Sequence, residues 1–331
     1  MTTMGGPQGT DWRATATGAM LRRRAALLDA ARRFFAARAV LEVDTPIVVN
    51  APVTDVHIHS ARVTFPDATD ASARQYFLHT SPEYAMKRLL AGGVGDIYQI
   101  CHVVRGLERG RLHNAEFTLI EWYRLGWTLD ALMDEVDALA RELLGARAGG
   151  LASTRVSYQE VFLEQLGIDP FSASMPELTA AARAAGFTGA SDSRDELLEL
   201  LMSVRIGPQL GRGALTFVYG YPASQAALAR LDPVDRRAAR RFELYCEGIE
   251  LANGFHELAD AREQRARFEH DIAERRRLAL STAALDERLL AALKAGLPEC
   301  CGVALGFDRL VMLAEGAERI DDVLSFPIER A

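Results

Sequence analysis

Two β-rich stretches, Arg241 to Cys246 and Ile249 to Phe255, are separated only by Glu247-Gly248. A connection of two residues joins antiparallel neighbours, because a parallel return needs a crossover of a dozen residues or more. This pair therefore predicts a hairpin. A second pair of strands, Ile97 to Arg105 and Glu116 to Tyr123, flanks the loop Gly106 to Ala115, whose Glu108, Arg109, Arg111, His113 and Asn114 make a charged tip. Near the end, the glycine-containing strand Gly302 to Phe307 runs into a helix over Asp308 to Ala314.

Other segments carry helical spacing. From Met20 to about Ala37, Leu21, Ala25, Leu28, Ala31 and Phe35 recur with that period, and Arg22, Arg23, Arg24, Arg32 and Arg33 read as a solvated face. The next segment, Val40 to Val49, is β-rich but holds Pro46, which suits an edge or an interface. Residues 131–229 are mostly helical, with Leu215 to Tyr219 as the one strong strand, and read as scaffold or insertion. A further helix is expected at Thr282 to Ala295, started by Ser281 or Thr282 and stopped by Gly296. Strands in the first and last thirds with helices between them define an α+β class. The expected organisation is a flexible N-terminus over 1–19 and one domain over 20–331.

At 331 residues and 49% hydrophobic content the chain can bury a large core. A net charge of -7 gives no general attraction for nucleic acid. Cys101, Cys246, Cys300 and Cys301 lack metal-ligand pairing and fit a reducing cytoplasm. No run is apolar enough to span a bilayer.

The strand Glu116 to Tyr123 places Phe117, Leu119, Glu121 and Tyr123 on one face, so a carboxylate shares an apolar surface. A cation should meet it, from the protein or from a ligand ammonium. Arg105 and the loop after it suit a triphosphate, or form a solvated turn. On the later hairpin, two-residue closure sets Glu243, Tyr245, Glu250 and Ala252 on one face; the two acids call for magnesium with phosphates or for pairing with Arg241. Asn253, Phe255 and Glu257 alternate onto the opposite face, unless a bulge at Gly254 brings both sets together. Glu257 would be a second acid for a cationic ligand. In Gly302-Val303-Ala304-Leu305-Gly306 the glycines allow close approach, and Arg309 in the first helical turn favours an anion.

Taken in order, RLHNAEFTLIEWY (111–123), GIELANGFHELADAREQ (248–264) and GVALGFDRLVML (302–313) resemble the class II aminoacyl-tRNA synthetases, and among them the lysine branch. The Pro46 segment looks like the dimer-forming first motif, Arg105 to Tyr123 like the second and Gly302 to Arg309 like the third. The resemblance implies a class II catalytic domain, an antiparallel sheet flanked by helices. Only about twenty residues precede Met20, too few for an anticodon-binding barrel, so the chain is similar to the stand-alone ligases of this branch. TSPEYAMKRLL at 80–90 and Ala304 fit those ligases as well.

That likeness implies ATP and Mg2+ as cofactors, (R)-β-lysine or lysine as substrate, and the ε-amine of a lysine on translation elongation factor P as acceptor. It implies a cytoplasmic homodimer, with neither tRNA nor membrane as partner. Arg105 and Arg309 would hold the ATP phosphates as the catalytic residues. Glu108, His113, Asn114, Phe117, Glu250, Leu251 and Gly306 would contact the nucleotide, with Phe117 stacking on adenine. Glu243 and Glu250 would hold magnesium. Ser81, Pro82, Glu83, Glu121, Tyr123, Asn253, Phe255, Glu257 and Ala304 would line the amino-acid pocket. Where the second motif reads Arg-x-Glu, this chain has Arg105-Gly106-Leu107-Glu108; Glu108 is expected to substitute. Ala115 stands where the family often has Pro. A non-catalytic ATP- or amino-acid-binding paralogue, a truncated synthetase charging a tRNA, and amide formation on a small amine stay open alternatives.

Overall fold

The computed structural model describes residues 12–65, 74–106 and 108–331. Its elements run α1 (Gly18–Ala36), β1 (Leu41–Glu42), β2 (Val48–Val49), β3 (Arg62–Phe65), β4 (Arg74–Leu78), α2 (Glu83–Ala91), β5 (Ile97–Val104), β6 (Glu116–Leu125), α3 (Leu129–Leu144) and β7 (Ala152–Ser157). They continue with α4 (Tyr158–Leu166), α5 (Met175–Ala184), α6 (Arg194–Leu201), β8 (Ala214–Tyr219), β9 (Arg241–Cys246), β10 (Ile249–His256), α7 (Ala261–Arg277), α8 (Glu287–Gly296), β11 (Cys300–Gly306) and α9 (Phe307–Glu315).

An eight-stranded sheet has the order β1-β5-β6-β11-β10-β9-β8-β7. Its interior is antiparallel as expected, but each edge strand is parallel to its neighbour, β1 to β5 and β7 to β8. The chain returns from β7 to β8 through α4, α5 and α6, a crossover long enough to permit parallel pairing. The segment over 131–229 therefore does more than scaffold: it completes the sheet and builds its own apolar cluster around Tyr158, Phe162 and Leu198. Pro46 divides the segment expected at an edge, leaving β1 on the large sheet and β2 on a three-stranded one, β2-β4-β3.

One face of the large sheet is sealed by α1, α3 and α9. Phe35 stacks on Tyr98 at 4.3 Å and meets Trp122 edge-on at 5.3 Å, all three in the main core. The buried stripe of α1 is Leu27, Ala31, Phe34 and Phe35, rotated from the expected one. Arg24, expected in solvent, pairs with the buried Asp308, whose other oxygen accepts the Thr118 amide at 2.8 Å. That pair ties α1 to α9 and β6. Ahead of α1, the Thr15 and Ala16 amides donate to the carbonyls of Ser325 and Leu324, so this part of the expected loose N-terminus is anchored; residues 1–11 lie outside the described residues.

Helix α8 begins at Glu287 rather than Thr282, because Asp286 supplies the cap, accepting from the amides of Arg288 and Leu289. Among the described residues no helix is long and apolar enough to cross a membrane.

Candidate active site

Glu247 and Gly248 both have positive φ, 52° and 75°, the geometry of a tight two-residue hairpin. The strands they join do not stay in simple alternation. Glu250 pairs with Tyr245, yet Ala252 pairs with Leu244 and Asn253 with Glu243, so one extra residue, Leu251, bulges between them. The expected bulge at Gly254 is not the one formed. Gly254 instead leaves room for the Phe242 ring, which would collide with any side chain there. The bulge at Leu251 turns Glu250, Asn253 and Phe255 to the face of Glu243, while Ala252, expected on that face, joins the core with Leu251.

Registers across four strand pairs then align one row: Gln99, Glu121, Ala304, Asn253 and Glu243. A neighbouring row brings Tyr123, Gly302, Phe255 and Arg241 side by side. This is the open face, and it has two ends of opposite chemistry.

At the acidic end Glu121 is 2% exposed. It accepts hydrogen bonds from Ser81 Oγ and Tyr123 Oη, each at 2.7 Å. Burial, then the charge of Glu83, pushes its carboxyl up to about 7, against the pull of the two hydroxyls and Lys87. Glu257 was expected as a second free acid, but Lys87 meets it at 2.6 Å and meets Glu83 at 2.6 Å as well. Burial pushes Glu257 up to about 8 while Lys87 opposes. Burial lowers the Lys87 ammonium, but Glu257 and Glu83 outweigh it and hold it protonated. Gly302 is required here, since a side chain would strike the Tyr123 ring and the Glu257 carboxylate. Ser81 Oγ also accepts the Glu83 amide at 3.0 Å at the start of α2, with Pro82 as its cap, and all three line a solvent-open cavity of about 550 Å³.

At the basic end Arg309, in the first turn of α9, donates to the Glu250 carbonyl at 2.9 Å and bonds His113 Nε2 at 2.6 Å. His113 accepts that bond as a neutral ring: burial, then Arg309 and Arg105, lowers it to about 4. Arg105 is fixed by the Thr80 carbonyl at 3.2 Å and lies 5.2 Å from the centre of the Phe117 ring. The Glu108 carboxylate stands 3.9 Å from Arg105, and Leu107 lies outside the described residues.

Between the ends, Glu243 accepts from Tyr221 and Tyr245 at 2.6 Å each and from Arg241 at 2.5 Å. Arg241 also donates to Asn253 Oδ1 at 3.2 Å. Burial, then Glu243, raises the Glu250 carboxyl, with Arg309 and Arg241 in opposition. Such repulsion is relieved by a cation, and the Glu250 oxygens have only a 3.6 Å contact with Arg309, so the pair fits a divalent ion supplied with phosphate oxygens. Among the described residues no group of three or more His, Cys, Asp or Glu could hold a metal without such a ligand.

Two expected nucleotide contacts are placed differently. Asn114 spends its amide on the Glu116 carbonyl and its oxygen on the Ile328 amide, which makes it a loop brace. Leu251 is 2% exposed in the core and offers the open face only its backbone, where its carbonyl lies beside Gly306. Sequence reasoning missed Lys87 and Tyr221. The signal for Lys87 was present: one of two lysines in the chain, four residues after Glu83 on a helix.

A sheet of this order with opposed arginine and carboxylate ends defines a class, and comparison agrees. A family model described as tRNA synthetases class II (D, K and N) matches residues 8–330, and the chain belongs to that family. Within it, the chain is similar to proteins named elongation factor P–(R)-beta-lysine ligase. It is 50% identical to that of Vibrio parahaemolyticus over 96% of this chain and 98% of the relative. It is 50% identical to that of Vibrio cholerae over 97% and 99%, and 47% identical to that of Salmonella arizonae over 97% and 98%.

Proposed function

We propose that the protein activates (R)-β-lysine, or lysine, with ATP as an aminoacyl-adenylate and transfers it to a lysine ε-amine of elongation factor P. The observation that carries this reading is Glu121: a buried carboxylate on the open face, bonded by two hydroxyls and contacted by no cation among the described residues. An ammonium of the substrate supplies what it lacks. The names of the relatives supply the acceptor.

The reaction takes two steps. With its amine on Glu121, the substrate points its carboxylate past Ala304, along the direction in which β5 runs to Arg105 and β11 runs to Arg309. A carboxylate oxygen bonds to the α-phosphorus and the bond to pyrophosphate breaks. The acceptor amine then attacks the carbonyl carbon, a C–N bond forms, the bond to AMP breaks, and the amine protons pass to solvent. Alignment and fixed positive charge supply the rate, and no protein nucleophile is needed. Glu250 and Glu243 would hold magnesium, which when bound neutralises phosphate charge. Phe117 provides an aromatic face for adenine, and His113 stays neutral beside the arginines. Glu108 replaces the acid missing at Leu107, so Glu108→Ala weakens ATP binding; unchanged ATP affinity would remove that role. The protein is proposed to work in the cytoplasm as a homodimer.

The decisive test is ATP–pyrophosphate exchange with (R)-β-lysine and α-lysine, followed by transfer to elongation factor P or tRNA. Exchange with either amino acid and amide formation on the factor are expected. No exchange with either would overturn the reading, and ester formation on tRNA would replace it with a synthetase.

A further inference from the structure

Four charged side chains share the acidic end. Glu83, Glu121 and Glu257 act on one another electrostatically, and Lys87 acts on all three. Lys87 is 1% exposed and makes 2.6 Å ion pairs with acids on two different elements, Glu83 at the start of α2 and Glu257 just past β10. An ion pair so completely buried contributes little to stability compared with an apolar replacement, so its presence in a binding pocket calls for another reason.

Charge balance gives one. With all three acids ionised, as opposed ligand cations would make them, three carboxylates against one ammonium leave two negative charges at this end of the site. A free diamino acid has two ammoniums and a carboxylate. Once the carboxyl is bonded to phosphate, the acyl group alone carries two positive charges, so the match is to the activated state and not to the free substrate. We propose that Lys87 is a specificity-determining residue that sets the pocket at two negative charges, matched to the two ammoniums of an activated diamino acid. This rests on the adenylation reading above.

Lys87 thereby acts by subtraction. With three uncompensated acids the pocket would have to take up a proton on binding this substrate. With one acid fewer and Lys87 retained, one net negative charge would face two ammoniums and leave one of them uncompensated, the costlier error. Glu83→Gln is that error, and the same change should suit an acyl group with a single ammonium.

The test is a two-by-two cycle of Glu83→Gln and Lys87→Met, read by exchange kinetics with a diamino acid and with a mono-amino analogue of equal length. Glu83→Gln should lower kcat/KM for the diamino acid roughly a hundredfold and improve the preference for the analogue. Adding Lys87→Met, which restores two negative charges, should recover at least about tenfold of the loss. Thermal melting of each variant confirms that it folds; if Glu83→Gln does not, Glu257→Gln with and without Lys87→Met repeats the cycle. A double variant no better than the single, or no change in preference between the two substrates, would overturn the proposal. Wild-type exchange with the diamino acid in the same assay keeps the two readings separate: its absence would remove the adenylation reading, while its presence without rescue would remove only the role of Lys87.

Discussion

Glu121 and Glu243 sit in one row of the same sheet, both buried, and differ in what surrounds them. Glu243 has a protein cation, Arg241, and two hydroxyls, Tyr221 and Tyr245, in contact. Glu121 has two hydroxyls and, among the described residues, no cation in contact. Burial makes both acids costly, but only one cost is met by the protein itself. The difference separates an acid already paired with a protein cation from one paired with none among the described residues, a distinction that residue type and spacing do not contain.

Breaking the paired acid should have the largest effect. Glu243→Gln leaves the Arg241 guanidinium underpaired in a buried setting, and about 3–5 kcal/mol of stability should be lost, read by chemical denaturation. Glu121→Gln should do the opposite to the two observables. Its stability should hold or rise, because a desolvated acid is removed, while amino-acid-dependent exchange falls about a hundredfold. If Glu121→Gln instead unfolds the protein and Glu243→Gln only slows it, the contrast is reversed.

A pH series sharpens the same point. In its proposed role Glu121 binds an ammonium as carboxylate, and with its carboxyl raised to about 7 it is lost as an acceptor when pH falls through 7. KM for the amino acid should therefore rise about fivefold from pH 7 to pH 6, with KM for ATP changing far less. Removing one hydroxyl is the gentlest break. Tyr123→Phe deletes a donor that favours the ionised form, so the midpoint of that pH dependence should move up, with a loss of a few-fold at neutral pH.

The hairpins, the third-motif strand and the buried Glu121 face were legible because alternation and a two-residue turn leave little freedom. The parallel edges were not. β1 spans two residues, and β7 becomes a strand through pairing with β8, reached only after three helices. The site was legible where a residue acts by its own chemistry, as with Arg105, Arg309 and Glu121. It was illegible where a neighbour decides: Lys87 claims Glu257, Arg241 claims Glu243, and backbone groups claim Asn114. Such assignments depend on distances between segments far apart in the chain.

The bulge at Leu251 makes the site a matter of parity. Side chains on a strand alternate, so pairing the same residues without the bulge would exchange every side chain after Leu251 between core and open face. Were Leu251 paired in a straight ladder from the turn, Ala252 would stand opposite Glu243 and Asn253 and Phe255 would enter the core, whereas a chain without Leu251 would keep Asn253 opposite Glu243. Substitutions can tune what this pocket accepts by degrees, but which side chains of β10 face it is decided in one step, by Leu251 staying out of the ladder.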